Sequence, residues 1–270
     1  MKKILLYLPL FVLALMVVGY VAPVASADHA WGSYHWARTV NPFTLKLGDS
    51  VTANWDGLLR GAATDWSQST VLDTVVVPSN SNPRTCKTMA GQVQVCNSKY
   101  GSNGWLGIAS VWVNGHHITQ GTVKLNDTYF STAKYNTTAW KNLVMCQEIG
   151  HTFGLDHQDE DFTNANLGTC MDYTNDPSTN QYPDQHDYDM LDTIYAHLDT
   201  ITTISQRLLF NAQGIDQENQ STWGRQIRTS ADGRGAVYAR DFGNGNEVFT
   251  FVVWAEEMGT GTIKKREQGQ

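Results

Sequence analysis

The stretch Cys146-Gln147-Glu148-Ile149-Gly150-His151-Thr152-Phe153-Gly154-Leu155-Asp156-His157 decides the fold, and everything else is placed around it. On a helix of 3.6 residues per turn, Gln147 and His151 stand four apart, about 40° from each other on one face. Glu148 lies beside that face, close enough for its carboxylate to reach a water held there. Gly154 tolerates positive φ, so it can end the helix and let the chain swing His157 back. Two imidazoles, an amide and a carboxylate then converge on one small volume, the layout of a metal site.

The stretch resembles the zinc signature of the metzincin metalloproteases, H-E-x-x-H-x-x-G-x-x-H, in every fixed position but one. Gln147 stands where the pattern has its first His. Downstream, Thr169-Cys170-Met171-Asp172-Tyr173 resembles the Met-turn of that clan. Tyr173 takes the place from which a tyrosine approaches the zinc in the astacin and serralysin branches. The resemblance covers roughly residues 30–200, with specific motifs only in 147–173.

It implies an α+β fold: a mixed twisted sheet carrying an active-site helix and a Met-turn. It implies zinc held by His151 and His157, with Gln147 a third ligand through its amide oxygen, a poorer donor than imidazole. Glu148 would be the general base and Tyr173 a hydrogen-bond donor to the oxyanion. The expected protein is a secreted zinc metalloendopeptidase acting on a protein or peptide substrate. Gln147 sets the alternative, a catalytically impaired binding protein on the same fold. The acidic run Asp156, Asp159, Glu160, Asp161 is a candidate for calcium and equally the composition of a solvated loop.

Residues 1–27 read as a secretory leader of bacterial type: Lys2 and Lys3, an apolar run from Ile4 to Val18, then Ala25-Ser26-Ala27 before the cut. Loss of the two lysines leaves 17 basic residues against 26 acidic ones, a charge of −9 with His neutral. That balance argues against nucleic acid or an anionic membrane as partner, and a monomer is expected. Four Cys in an exported chain suggest two disulfides, with three connectivities open. Cys86 and Cys96 flank a short polar segment suited to a local loop; the metzincin arrangement, which packs the helix on the Met-turn, implies Cys146–Cys170.

Around this centre the domain is expected over 28–200. Phe43 to Leu47 alternates as a strand, Asp49 or Ser50 can cap a helix bearing Trp55, Leu59 and Trp66, and Val71 to Val77 is a β-branched strand. Gln92 to Cys96 gives a further short strand. Asn114-Gly115 signals a hairpin within Gly104 to Asn126. Its first arm, Leu106 to Val113, is the candidate for the edge strand on which metzincins bind extended substrate. His35 reads as a packed or solvated side chain, and His116 and His117 as polar turn residues. Thr137 or Thr138 can cap the central helix; Asp184 can cap a last one carrying Met190, Leu191, Ile194, Tyr195 and Leu198. Residues 201–222 look like a linker and 223–270 like a small β-rich appendage with a turn at Asn244-Gly245.

Overall fold

Alternation along Phe43-Thr44-Leu45-Lys46-Leu47 buries the three apolar residues and exposes Thr44 and Lys46, which makes β2 (Phe43–Ser50). The computed structural model describes residues 29–206 and 215–256, so the expected leader, part of the expected linker and the last 14 residues lie outside the described chain. A two-residue strand, β1 (His35–Trp36), precedes β2, and the β-branched run follows as β3 (Leu72–Pro78). After β4 (Val93–Ser98), the predicted hairpin joins β5 (Trp105–Asn114) to β6 (His117–Asn126). Gly115 turns it at φ +59°, a conformation glycine adopts freely.

Helix α1 (Ala53–Trp66) starts after Thr52, later than Asp49 or Ser50 would set it. Both residues still belong to β2, where they pair with Val95 and Cys96 of β4. One turn, α2 (Asp127–Phe130), leads to α3 (Thr138–His151), capped as expected by Thr137, whose hydroxyl accepts from the Trp140 amide. Asp184 caps α4 (Gln185–Ile194) in a reciprocal box with Asp187. The helix stops short of Leu198, which is exposed, because Arg38 and Asn41 draw off the Tyr195 carbonyl, each at 2.8 Å.

The C-terminal segment overturns the expectation of a separate appendage. Its strands β7 (Arg225–Thr229), β8 (Gly235–Gly243) and β9 (Asn246–Trp254) extend the main sheet, in the order β3-β2-β4-β6-β5-β9-β8-β7, with β1 also on β6. Pairs among β1–β4 and β6 are parallel, and those of β5 and β7–β9 are antiparallel. Strand β5 is therefore not an edge: β6 pairs it on one side and β9 on the other. The physical reason is visible in its composition, since every residue from Trp105 to Val113 is buried, the mark of a strand covered on both faces.

Helices α1 and α3 cover one face with the main core, including Trp66, Leu106, Val144, Ile149 and Met171. A second cluster of Tyr100, Trp105, Ile108, Trp223, Tyr238 and Val252 covers the other. The described part of the expected linker packs here as well. Gln217 accepts from Thr122 at 2.8 Å, and Glu218 pairs at 3.1 Å with the buried Lys124.

Disulfides Cys86–Cys96 and Cys146–Cys170 are both formed. The second ties α3 to the Met-turn across 24 residues of chain. Replacing Cys146 and Cys170 together by Ala is expected to lower stability by about 3 kcal/mol, chiefly through the unfolded state. Urea denaturation of both forms checks this; an unchanged midpoint would show that the cross-link contributes nothing.

Candidate metal centre

Helix α3 buries Gln147, Glu148 and His151 along the side that faces the sheet and Met-turn. Its last turn is held by indoles: Trp31 donates to the His151 carbonyl at 3.0 Å and Trp36 to that of Thr152 at 2.8 Å. These side chains satisfy carbonyls that a helix end otherwise leaves orphaned. Gly154 then takes φ +101°, and a Cβ there would meet the Tyr34 carbonyl at 2.5 Å. Only glycine makes that turn at this contact. The chain doubles back, bridges Leu155 to Ala30, and delivers His157.

The result is that Nε2 of His151 and Nε2 of His157 face each other at 3.1 Å. Nδ1 of His151 donates to the Leu155 carbonyl at 2.9 Å, so its Nε2 presents a lone pair. Nδ1 of His157 lies 3.6 Å from both Asp156 Oδ1 and Glu160 Oε1, beyond hydrogen-bond reach. A neutral pair shares one N–H across this gap, and a cation or an extra proton takes its place where both rings present lone pairs. Burial, and then the neighbouring His157, push His151 well below the usual imidazole range, which disfavours the proton. The donor set fits a metal ion. Gln147 donates its amide nitrogen to the Cys170 carbonyl at 2.9 Å, leaving Oε1 as the end free to coordinate.

Glu148 is 1% exposed, and its Oε2 has no hydrogen-bond partner. Burial pushes its carboxyl well above the usual range, opposed in part by the Ala109 backbone amide. Room for it comes from Gly107 on β5, where a Cβ would stand 2.5 Å from Val144 and 2.7 Å from Glu148 Oε1. Gly107→Ala is accordingly expected to cost about 1–3 kcal/mol by overpacking, read as a lower melting temperature; an unchanged melt would mean the Glu148 niche is loose.

The turn at Met171 packs under this helix. A Cβ at Gly150 would lie 2.6 Å from Met171 Sδ, so glycine sets the close approach. Asp172 anchors the turn by accepting from the Leu167 amide at 2.9 Å and Asn180 at 2.7 Å. The Tyr173 ring lies 3.9 Å from that of His157 and stacks on Phe162 at 4.4 Å. His151, His157 and Tyr173 thus meet in one buried cluster with Glu148 near enough to Tyr173 to act on its charge, while Gln147 is held on the Cys170 carbonyl.

Strands β7–β9 seal it. Phe251 of β9 stacks on His151 with ring centres 4.3 Å apart and planes at 12°. Gly235 of β8 lies so close to the Tyr173 hydroxyl that a Cβ could not fit. Arg228 of β7 grips Asp156 with both terminal nitrogens and Glu160 through Nε at 3.0 Å. His157, the most open of the five, is 8% exposed. Within the acidic run Arg228 holds Asp156 and Glu160, Asp161 accepts from Thr163 at 2.8 Å, and Asp156 and Glu160 stand with His157 close enough together to hold a cation.

Sequence reasoning missed Arg228 and Phe251, which stand far along the chain in a segment without a motif. It also separated His35 and His117, which meet around Asp199. The spacing His197-Leu198-Asp199 was the one signal for that cluster.

No family model matches the chain, and no curated protein does. Among solved structures, one described as "Structure of myroilysin" is similar at 12% identity and a TM-score of 0.37, covering 62% of this chain and 98% of its own. Another, "Crystal structure of myroilysin", is similar at 11% identity and a TM-score of 0.35, over 65% and 98%. At so low a superposition the likeness carries neither fold nor chemistry over to this chain.

Proposed function

We propose that this chain is a metal-dependent endopeptidase of metzincin type whose cleft is closed by its own C-terminal strands. The observation that carries it is the meeting of two imidazole Nε2 atoms at 3.1 Å beside a buried, unpaired carboxylate and over a Met-turn. His151, His157 and Oε1 of Gln147 would hold zinc, which when bound supplies a Lewis acid and an acidified water.

The chain's own groups do the rest. Glu148 takes a proton from the attacking water and returns it to the leaving amine. Tyr173, once clear of Gly235, donates its hydroxyl to the developing oxyanion. Strand β5 supplies the backbone ladder for an extended peptide. In the closed form β9 occupies that ladder from Trp105 to Asn114, so substrate must replace β9. The leader and the disulfides accord with an exported protein, and among the described residues no helix is long and apolar enough to cross a membrane.

A second reading, a binding protein without turnover, is favoured by one observation. Gln147 stands where an imidazole would bind zinc more tightly, and its amide is fixed on Cys170. Gln147→His separates the two in part. Zinc affinity is expected to rise at least tenfold, measured by competition with a chromogenic chelator. Unchanged affinity would show that residue 147 does not face the metal.

A further inference from the structure

Away from the α3 centre, three histidines converge on one carboxylate oxygen. His35 on β1, His117 at the start of β6 and His197 beyond α4 direct their Nε2 atoms at Asp199 Oδ1, at 3.4, 3.3 and 3.8 Å. Nε2 of His35 and Nε2 of His197 are 3.1 Å apart. Donors each about 2.0–2.1 Å from one tetrahedral zinc stand roughly 3.3 Å from one another. The four spacings bracket that value. Ligand atoms of His35, His117 and Asp199 all lie within 4.8 Å of one another, and His197 joins them from the His35 side, its ring edge-on to His35 at 86°.

The surroundings orient these groups as a ligand set. His35 is buried, and its Nδ1 donates to the Ser33 carbonyl at 2.9 Å, so Nε2 is left as a lone pair towards Asp199 Oδ1 and His197 Nε2. Hydrogen bonding of the far ring nitrogen is how metal-binding histidines are aimed. Asp199 is divided in the same way. Its Oδ2 accepts from the Arg38 backbone amide and from Arg38 Nη1, both at 3.1 Å, while Oδ1 is turned to the imidazoles. Arg38 is itself fixed on the Tyr195 carbonyl.

We infer that His35, His117, His197 and Asp199 form a second, structural metal site for zinc or a like divalent ion, distinct from the α3 centre. Three imidazoles and a carboxylate make a closed tetrahedral set with no position left for substrate. Its ligands come from β1, the start of β6 and the segment after α4, so an ion there reinforces the backbone hydrogen bonds that join β1 to β6 and Asp199 to Arg38. The half-exposed His197 leaves a route for the ion to enter.

The test uses the whole exported chain with His151→Gln and His157→Gln, which empties the α3 centre. After zinc loading and gel filtration, one equivalent per chain is expected, and zinc should raise the melting temperature. Adding His117→Gln and His197→Gln, which spare Asp199 and its hold on Arg38, should remove that equivalent and the thermal shift together. Cobalt supplies an independent readout on the chain with the α3 centre emptied, as the intense visible bands of a four-coordinate ion. Zero zinc in that chain, a full equivalent retained without His117 and His197, or cobalt bands of a six-coordinate ion would each overturn the assignment.

Discussion

Arg228→Ala raises cleavage of an unfolded protein substrate by roughly 10- to 100-fold. The guanidinium joins β7 to Asp156 and Glu160, on the loop that delivers His157 and immediately after it. Charge-assisted hydrogen bonds of this kind contribute about 1.5–3 kcal/mol, and each 1.4 kcal/mol is a factor of ten in the closed-to-open ratio. The pair is made only when the C-terminal strands are docked, so its loss favours the open form while leaving α3 and the Met-turn untouched. Opening also frees β5 for substrate and Tyr173 from Gly235. Hydrogen exchange should show faster exchange in 225–254, with little change in α3. If the variant melts lower but cleaves no faster than the parent, β7–β9 are a permanent layer of the sheet and not a gate.

Glu148→Gln, placed in the Arg228→Ala background, lowers turnover by about 10²- to 10⁴-fold, the usual contribution of a positioned general base. Bound zinc and melting temperature should change little, because the amide keeps the shape of the carboxyl, and the Gly107 niche still accepts it. Tyr173→Phe costs less, on the order of 10²- to 10³-fold, if it removes one oxyanion hydrogen bond. Initial rates on a fluorogenic denatured protein separate these values. Equal rates with Glu and Gln at 148 would assign the cleavage to a contaminant, and the binding-protein reading would then stand.

The centre was legible in the sequence because its geometry is local. Helical spacing places Gln147 and His151 on one face, and Gly154 can take the positive φ that swings His157 back, so much of the layout lies within eleven residues. The Cys146–Cys170 link was legible only through the resemblance, which implies that the two segments pack together. What was not legible is non-local. Nothing in Phe251 or Arg228 announces a partner 100 or 72 residues upstream, so β9 looked like part of an appendage. The largely apolar runs of β5 and β9, interrupted by Ser110 and Thr250, did carry part of the information, since long apolar strands are normally paired or covered at their edges. Periodicity also placed the α1 cap at Asp49 or Ser50, because it does not register that both are committed to β2. The histidines around Asp199 were split among segments that only the folded sheet brings together.

The central claim is that His151 belongs to a metal centre that cleaves peptide bonds. It is tested most directly by incubating unfolded protein with Arg228→Ala and with Arg228→Ala/His151→Ala, zinc supplied to both, and counting new peptide ends by mass spectrometry. The account predicts zinc-dependent cleavage by the first and none above background by the second, with the circular dichroism of the two alike. Equal cleavage by both, or none by either while both remain folded, would contradict it.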